Sequence, residues 1–394
     1  MAANPYKPIK INFFIKLIPL MKYNIRVYKT KKSNLSKVDF NHIPFGQTYS
    51  DHMFVADYEN GQWLNLQIRP VSNLSFHPGL MALHYGQSLF EGMKASKTVE
   101  GTPMLMRPEM HARRMNHSCE RLCMPAIPEE LFVQALEKLV ALDKDWIPQT
   151  PNAALYIRPF MFATDETLGV RPSNTYKFII LTGPVGPYYA KPVKLWVEQK
   201  FVRAVKGGTG EAKSAGNYGG SLYPMKLAAE RGYDQIIWTD AVEHKYLHEA
   251  GTMNLFFVID GKVLTPSTDG EILKGITRDC FLHILKTKGI PHEVRPIHID
   301  ELVNAYKKGK LQAAFGAGTA AVVSPVSEIT YNDFQMTLPP IDAKGIPAML
   351  KAEIEGLRDG TIQDIYGWMR PIEGAQLAPV AATKKKKVLD LEPA

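Results

Sequence analysis

The chain has 394 residues, of which 45% are hydrophobic and 22% charged, so it can bury sizeable cores and lies outside the disordered class. Its net charge of +8 comes from residues 1–38, which hold nine Lys and Arg and no Asp or Glu; the rest has 38 basic and 39 acidic residues. That near-neutral remainder disfavours a nucleic-acid surface, and three cysteines are too few for a disulfide framework.

The first 38 residues are predicted to be a basic extension without stable structure. The apolar stretch from Ile11 to Met21 is interrupted by Lys16 and Pro19 and is too short to cross a bilayer. No small-residue cleavage site follows it, so we expect a cytoplasmic protein without membrane attachment. A mitochondrial location is the alternative, because presequences are also basic and poor in acidic residues, although they usually contain more Arg and Ser.

Strands and helices are predicted to alternate along the body of the chain. Hydrophobic spacing predicts, in chain order, strands over 51–58 and 64–68, a helix over 129–142, buried strands over 177–182 and 255–259, and a helix over 278–285. Breakers over 184–192 favour a linker there. We therefore expect a two-domain α+β protein with a small domain over 39–186, an interdomain loop over 187–196, a larger domain over 197–370 and a flexible tail over 371–394.

The glycine-rich segment 207–220 is the most informative motif. It places Lys213 and Tyr218 among six glycines, so that a flat organic ring can approach the lysine amine closely. A phosphate-binding P-loop requires Gly, four residues and then Gly-Lys-Ser/Thr, but Ala212 stands here in place of the second glycine. The other explanation is a lysine that forms a Schiff base with a carbonyl cofactor, above all pyridoxal phosphate.

A pyridoxal phosphate site makes three further demands, and the sequence offers candidates for each. Tyr218, five residues after Lys213 in the same predicted loop, can bind the phenolic oxygen of the cofactor. Glu249 precedes a strongly apolar run, where a carboxylate is costly without a cationic partner such as a protonated pyridine. The phosphate needs N–H donors at turns or helix starts, which are expected over 274–277 and 316–321.

Each of these residues also has an ordinary explanation. A lone lysine in a glycine-rich loop is usually solvated, and carboxylates at strand edges are common. Cys119 and Cys123, with His117 nearby, are more simply explained by core packing, because no further metal ligand has a suitable spacing. We therefore expect no metal site, and only the joint pattern favours a cofactor.

Several motifs in the same order make the chain resemble the branched-chain amino acid aminotransferases, pyridoxal-phosphate enzymes of fold type IV. The resemblance covers about residues 40–370 and rests on the segments 83–95, 156–159, 183–186, 207–220, 249–254 and 316–321. It implies a fold like that of D-amino acid aminotransferase, with a small α/β domain and a larger pseudo-barrel domain. It also implies a homodimer in which a small-domain loop contributes to the partner's pocket.

The resemblance implies a role for each candidate residue. Lys213 would carry the cofactor as a Schiff base and move a proton during catalysis. The other cofactor contacts would come from Arg114, Tyr218, Glu249, Ile276, Thr277 and Thr319. The substrate would lie against Phe45, Tyr85, Phe90, Tyr156, Arg158, Tyr188 and Thr252, with its carboxylate on the N–H groups of Thr319 and Ala320.

The implied reaction moves the amino group between L-leucine, L-isoleucine or L-valine and 2-oxoglutarate, with Arg158 helping to hold the acidic partner. D-amino acid aminotransferases and aminodeoxychorismate lyases share the lysine and the glutamate. They are usually shorter, however, and lack the context of 156–159 and 183–186. The alternative from a different class is a nucleotide-dependent phosphotransferase that uses 207–214, which would bind ATP with magnesium and be colourless.

Overall fold

A computed structural model describes residues 23–150, 153–186 and 191–372 of the chain. Within these ranges two nine-stranded sheets form the framework. The first sheet contains β1 (Arg26–Val27), β2 (His52–Glu59), β3 (Gln62–Pro70), β4 (Ser88–Phe90), β5 (Met93–Lys97), β6 (Pro103–Met106), β7 (Ala154–Ala163), β8 (Tyr176–Val185) and, from the end of the described chain, β18 (Met369–Pro371). The second contains β9 (Val193–Val197), β10 (Gln235–Thr239), β11 (Leu247–Ala250), β12 (Met253–Ile259), β13 (Lys262–Thr265), β14 (His292–Val294), β15 (Leu311–Gly318), β16 (Val322–Tyr331) and β17 (Phe334–Thr337).

The helices pack on the faces of these sheets. They are α1 (Met81–Tyr85), α2 (Pro108–Arg121), α3 (Glu129–Leu142), α4 (Ala215–Glu230), α5 (Ile276–Thr287), α6 (Ile299–Lys307) and α7 (Ile346–Asp359). None of the helices in the described ranges is long and apolar enough to cross a membrane.

The second sheet closes on itself as a six-stranded barrel. Its strands follow the order β11, β10, β9, β16, β15 and β12, and β12 pairs again with β11. Strand β9 runs parallel to both of its neighbours, whereas the other barrel pairs are antiparallel. Along β12, Leu255 and Phe257 pack with α6, whereas Phe256 and Val258 pack with α5 and α7. This burial on both faces explains the uninterrupted apolar run that predicted the strand.

The first sheet has α2 and α3 on one face. Its order is β1, β3, β2, β8, β7, β5 and β6, and β4 pairs with β7. Helix α3 covers the predicted range 129–142, because acidic residues favour its first turn and Leu131, Leu136 and Leu139 share its buried face. The predicted strands over 51–58, 64–68, 177–182 and 255–259 correspond to β2, β3, β8 and β12, and the helix over 278–285 lies inside α5.

Both ends of the described chain are more ordered than the sequence predicted. The extension 1–38 was expected to lack structure, but β1 pairs with β3, and Ile25 is buried. The main-chain N–H and carbonyl of Tyr23 are both bonded to the Gln134 side chain. The end of the chain returns to the first sheet, where β18 (Met369–Pro371) pairs with β6. Residues 1–22 and 373–394 lie outside the described residues.

The predicted interdomain loop over 187–196 ends earlier than expected. Strand β9 begins at Val193, because its alternating apolar residues are buried in the barrel core. Residues 187–190, and with them Tyr188, lie outside the described ranges. The division of the chain into two domains otherwise stays a prediction.

Candidate active site

A cavity of about 430 Å³ is lined by residues from both sheets. The first sheet and the helix beside it supply Phe90, Arg114, Tyr156 and Arg158, and Phe45 closes the same side. The second half of the chain supplies Lys213, Tyr218, Thr252, Ile276, Thr277, Thr319 and Ala320. Residues that are far apart in sequence therefore meet in one cavity, as the motifs predicted.

Lys213 has a fixed main chain and a side chain directed at the cavity. Its N–H donates to Ser118 Oγ at 3.0 Å, and its carbonyl accepts from the N–H of Phe90 at 3.1 Å. The Lys213 amine donates to Tyr218 Oη at 2.8 Å and lies 4.7 Å from the centre of the Phe90 ring. The amine is thus held between two aromatic rings at the cavity wall, where it can meet a bound molecule.

Tyr218 lies on a helix rather than in the glycine-rich loop that the sequence predicted. Helix α4 begins at Ala215 and contains three of the glycines of the motif, although each glycine costs a helix about 1 kcal/mol relative to alanine. Tertiary contacts outweigh that cost. The Asn217 amide donates to the carbonyls of Thr209 and Ala212, and the Tyr218 ring packs on Phe90 with 4.7 Å between ring centres.

Glu249 is a buried carboxylate with a cationic partner. It lies within β11 rather than ahead of a strand, opposite Asn254 of β12, and is 5% exposed. Arg203 Nη2 donates to its Oε1 at 2.8 Å, and the Asn254 amide donates to its Oε2 at 3.3 Å. Burial raises the pKa of Glu249, and the charges of Arg203 and Lys213 oppose that rise.

Arg114 is held by Glu91, a residue that sequence reasoning missed. Its Nε and Nη2 each donate to one oxygen of Glu91 at 2.7 Å, and His111 Nδ1 donates to the same carboxylate at 2.8 Å. Burial alone would raise the pKa of Glu91, but the Arg114 charge and these hydrogen bonds hold it well below its usual range. A carboxylate between Phe90 and Gly92 in an otherwise apolar strand region was the available signal.

Replacing Glu91 with glutamine is expected to lower the free energy of unfolding by about 3 kcal/mol, because it leaves the buried Arg114 without its counter-charge. Urea denaturation of the two proteins measures the change. The matched control is Glu129→Gln, which removes the exposed Arg113–Glu129 pair and should cost less than about 1 kcal/mol. Equal changes in the free energy of unfolding for the two variants would show that Glu91 stabilises the buried Arg114 no more than a surface ion pair would.

The remaining wall of the cavity suits an anion. Helix α5 begins at Ile276 with no side chain capping its first N–H groups, and Arg114 Nη1 donates to the Lys274 carbonyl just ahead of it. Thr319, in the turn between β15 and β16, lines the same wall. Free N–H groups at a helix start beside an arginine bind phosphate well.

The opposite wall is aromatic. The Arg158 guanidinium lies 4.5 Å from the centre of the Phe90 ring and donates to Tyr156 Oη at 2.9 Å. Phe45 meets Tyr156 edge to face, with 5.0 Å between ring centres. A Cβ at Gly92 would lie 2.4 Å from Tyr156 Oη, so only glycine lets the tyrosine approach. This wall can contact an apolar side chain of a bound molecule, and it carries one cation, Arg158.

Comparison with known proteins agrees with this geometry. The family model for class IV amino-transferases matches residues 88–329. The branched-chain-amino-acid aminotransferase 2 of Bacillus subtilis is 46% identical over 353 residues, which are 89% of this chain and 97% of that protein.

The chain belongs to the class IV aminotransferases, in the branched-chain-amino-acid group.

Solved structures of this family share the fold. The Escherichia coli branched-chain amino acid aminotransferase superposes with a TM-score of 0.67 at 26% identity, covering 82% of this chain and 99% of that one. The T.th. enzyme, complexed with N-(5'-phosphopyridoxyl)-L-glutamate, gives 0.65 at 27% identity, covering 80% and 98%. The same enzyme complexed with 4-methylvaleric acid gives 0.64 at 26% identity with the same coverage. The predicted family and the fold type IV architecture are confirmed.

Class IV aminotransferases depend on pyridoxal phosphate, and the residues of this cavity fit that cofactor. The Lys213 amine suits its aldehyde, and the Tyr218 phenol suits its phenolic oxygen. The buried Glu249 carboxylate suits its ring nitrogen, and the anion-binding wall at the start of α5 suits its phosphate. Among the described residues, no cluster of His, Cys, Asp and Glu has the geometry of a metal site.

One predicted substrate residue among those that the structure describes, Tyr85, does not line this cavity. Tyr85 is 42% exposed, and its hydroxyl donates to the Leu168 carbonyl on the surface. Gly86 ends α1 in a left-handed conformation, with φ of 64°, which separates the direction of Tyr85 from that of Phe90 on β4. Tyr85 therefore does not line the cavity of its own chain, and its contact with a substrate stays a prediction. Tyr188 lies outside the described residues.

Proposed function

We propose that this aminotransferase uses pyridoxal 5'-phosphate bound to Lys213 to move the amino group between branched-chain L-amino acids and 2-oxoglutarate. The observation that carries the proposal is the Lys213 amine at the wall of a cavity whose surroundings include the buried Glu249 and the paired Arg114. The 46% identity to the Bacillus subtilis enzyme supports branched-chain substrates in particular.

The chain's own residues divide the task of holding the cofactor. Tyr218 would bind the phenolic oxygen, and Glu249 would bind the protonated ring nitrogen. Arg114, Ile276, Thr277 and Thr319, which line the cavity, would hold the phosphate. When bound, the cofactor would supply a ring that accepts the electrons left when the Cα–H bond of the substrate breaks.

Lys213 also has the position of a general base. Once the substrate amine has replaced it, the Lys213 Nζ would be free to take the proton from the substrate Cα and to return it at the former aldehyde carbon of the cofactor. The Tyr218 hydroxyl, 2.8 Å from Nζ, orients that amine. Phe90, Phe45 and Tyr156 exclude water from this side of the cavity and favour an apolar substrate side chain.

Two kinds of substrate must use the same cavity in turn. The N–H groups of Thr319 and Ala320 are proposed to bind the carboxylate next to the reacting carbon in both. Arg158 is proposed to meet the second carboxylate of glutamate or 2-oxoglutarate, because it is a cation on an otherwise aromatic wall. Binding of a glutamate adduct and of 4-methylvaleric acid by the T.th. enzyme supports this dual use.

Absorbance spectra and a substrate panel test the proposal together. The purified protein is expected to absorb near the edge of the visible range and to lose that band on borohydride reduction. It should convert L-leucine, L-isoleucine and L-valine with 2-oxoglutarate and leave D-alanine unreacted. A colourless protein that binds ATP with magnesium would instead support a phosphotransferase, and turnover of D-alanine alone would support the D-amino acid enzymes.

A homodimer is part of the proposal. Large apolar side chains are exposed on α1, on α4 and on the loop between β7 and β8 that accepts a hydrogen bond from Tyr85. They are Leu83, Leu168, Val170, Leu222 and Tyr223. Exposed apolar surface of this kind marks protein–protein contacts, and identical chains usually close as symmetric pairs. Tyr85 also lies on this surface, so in the proposed dimer it would line the active-site cavity of the partner chain.

Replacing Leu222, which is 67% exposed on α4, with aspartate is expected to convert a dimer to a monomer, because it buries a charge in the proposed interface. Light scattering after size-exclusion chromatography measures the mass. The control is Val242→Asp, on the turn between β10 and β11, which should remain dimeric. A wild-type protein with the mass of one chain would refute the dimer.

A further inference from the structure

Lys94 is a buried lysine behind the candidate active site. It lies on β5, is 8% exposed, and its Nζ donates to the Ala320 carbonyl at 2.5 Å. No carboxylate lies within ion-pair distance of it in the parts of the chain that the structure describes. Burial and the charge of Arg358 lower the pKa of Lys94 to about 7, with Glu355 opposing. The ammonium and the neutral amine of Lys94 can both donate an N–H to the Ala320 carbonyl. Burying a lysine without a carboxylate partner costs free energy, which suggests that this lysine has a function.

The acceptor of this hydrogen bond belongs to a turn with two accessible faces. Residues 319–321 connect β15 to β16 and line the active-site cavity on one face. On the reverse face, Ala320 and Ala321 line a groove of about 920 Å³, which Lys94 also lines. Lys94 does not line the active-site cavity itself, so it contacts the turn from behind.

The turn ends in a strained residue. Val322 is buried and has φ of 59°, in the left-handed region that β-branched residues rarely adopt. Such a conformation persists only where surrounding contacts impose it. The hydrogen bond from Lys94 to Ala320, two residues earlier, is a contact of that kind.

We infer that Lys94 is a positioning residue for the substrate carboxylate, because it fixes from behind the turn that lines the active site and whose N–H groups are proposed to bind that carboxylate. The carbonyl and the following N–H of a trans peptide point in opposite directions. A bond that fixes the Ala320 carbonyl therefore also fixes the Ala321 N–H and, through so short a turn, the N–H groups of Thr319 and Ala320. The inference rests on the proposed function, in which these groups bind a carboxylate.

Calorimetric titration of the holoenzyme with 4-methylvalerate tests the inference without turnover. The Lys94→Met variant is expected to bind this carboxylate about tenfold more weakly, because the turn loses a charge-assisted hydrogen bond. Binding of the uncharged 4-methylvaleramide should change less than about twofold, since its apolar part meets other residues. Lys94→Arg should restore most of the affinity for the acid. Lys97→Met, which removes another lysine of the groove, is the matched control and should bind like the wild type.

Relief of the strain at Val322 gives a second, independent readout. Val322→Gly removes the penalty of the left-handed conformation, whereas Val322→Ala removes side-chain atoms but keeps most of that penalty. Added to Lys94→Met, the glycine is therefore expected to recover affinity for 4-methylvalerate by about threefold or more, and the alanine is not.

The outcomes separate the inference from the proposed function. A Lys94→Met protein that binds 4-methylvalerate within twofold of wild type overturns the inference and leaves the proposed function standing. The same holds if the variant loses affinity for the acid and for the amide by equal factors. A wild-type protein without bound cofactor or affinity for 4-methylvalerate overturns both. Thermal unfolding of each variant, run beside the titrations, identifies a change that is only a loss of folded protein.

Discussion

Replacing Lys213 with alanine is expected to reduce the turnover of L-leucine with 2-oxoglutarate by about 10⁴-fold or more. The substitution removes both the amine that binds the cofactor and the base that moves the proton, so two contributions are lost at once. The fold should remain intact, because the hydrogen bonds that hold this position to Ser118 and Phe90 come from the main chain. Steady-state kinetics and far-ultraviolet circular dichroism measure the two effects.

Lys206→Ala is the matched control for this substitution. Lys206 is an exposed lysine immediately before the same glycine-rich segment and does not line the cavity, so its loss should leave kcat within about twofold. Methylamine added in solution should restore part of the activity of Lys213→Ala, because it supplies the missing amine. Substantial turnover by Lys213→Ala without added amine would refute the role assigned to the lysine.

Replacing Glu249 with glutamine is expected to lower kcat by about 10²-fold or more while the absorbance band of the bound cofactor persists. Glutamine has nearly the same shape but lacks the negative charge that would keep the ring nitrogen protonated. The charge of Arg203, 2.8 Å away, would then act unopposed and disfavour a second positive charge. Kinetics and absorbance spectra on the same sample separate catalysis from binding.

Glu211→Gln provides the comparison for Glu249. Glu211 is a partly buried carboxylate two residues before Lys213 that pairs with Lys274 and His117, away from the cavity lining. Its replacement should change kcat by less than about threefold. If Glu249→Gln retained wild-type turnover, the carboxylate would have no part in the chemistry and its pairing with Arg203 would be structural.

Elements with strong local patterns could be predicted from sequence. The helix over 129–142 has acidic residues in its first turn and leucines on one face, so its limits follow from local chemistry alone. The strand around 255–259 is apolar throughout because the barrel buries both of its faces. The cavity residues followed from motifs in a fixed order, and the cavity brings together Lys213, Tyr218 and Arg114 as expected.

Features that depend on tertiary contacts could not be predicted. Tyr218 was expected in the same loop as Lys213, whereas the contacts of Asn217 with the preceding residues explain why α4 starts as early as Ala215. The direction of Tyr85 depends on the backbone conformation at Gly86. The support of Arg114 by Glu91 joins residues 23 positions apart, so the carboxylate in its apolar surroundings marked Glu91 as unusual but did not indicate its partner.

Locating the modified lysine tests the central claim most directly. Borohydride reduction of the holoenzyme, followed by proteolysis and mass spectrometry, should place a phosphopyridoxyl group on Lys213. Modification of a different lysine, or the absence of any modified peptide, would contradict the assignment of Lys213 as the residue that carries the cofactor.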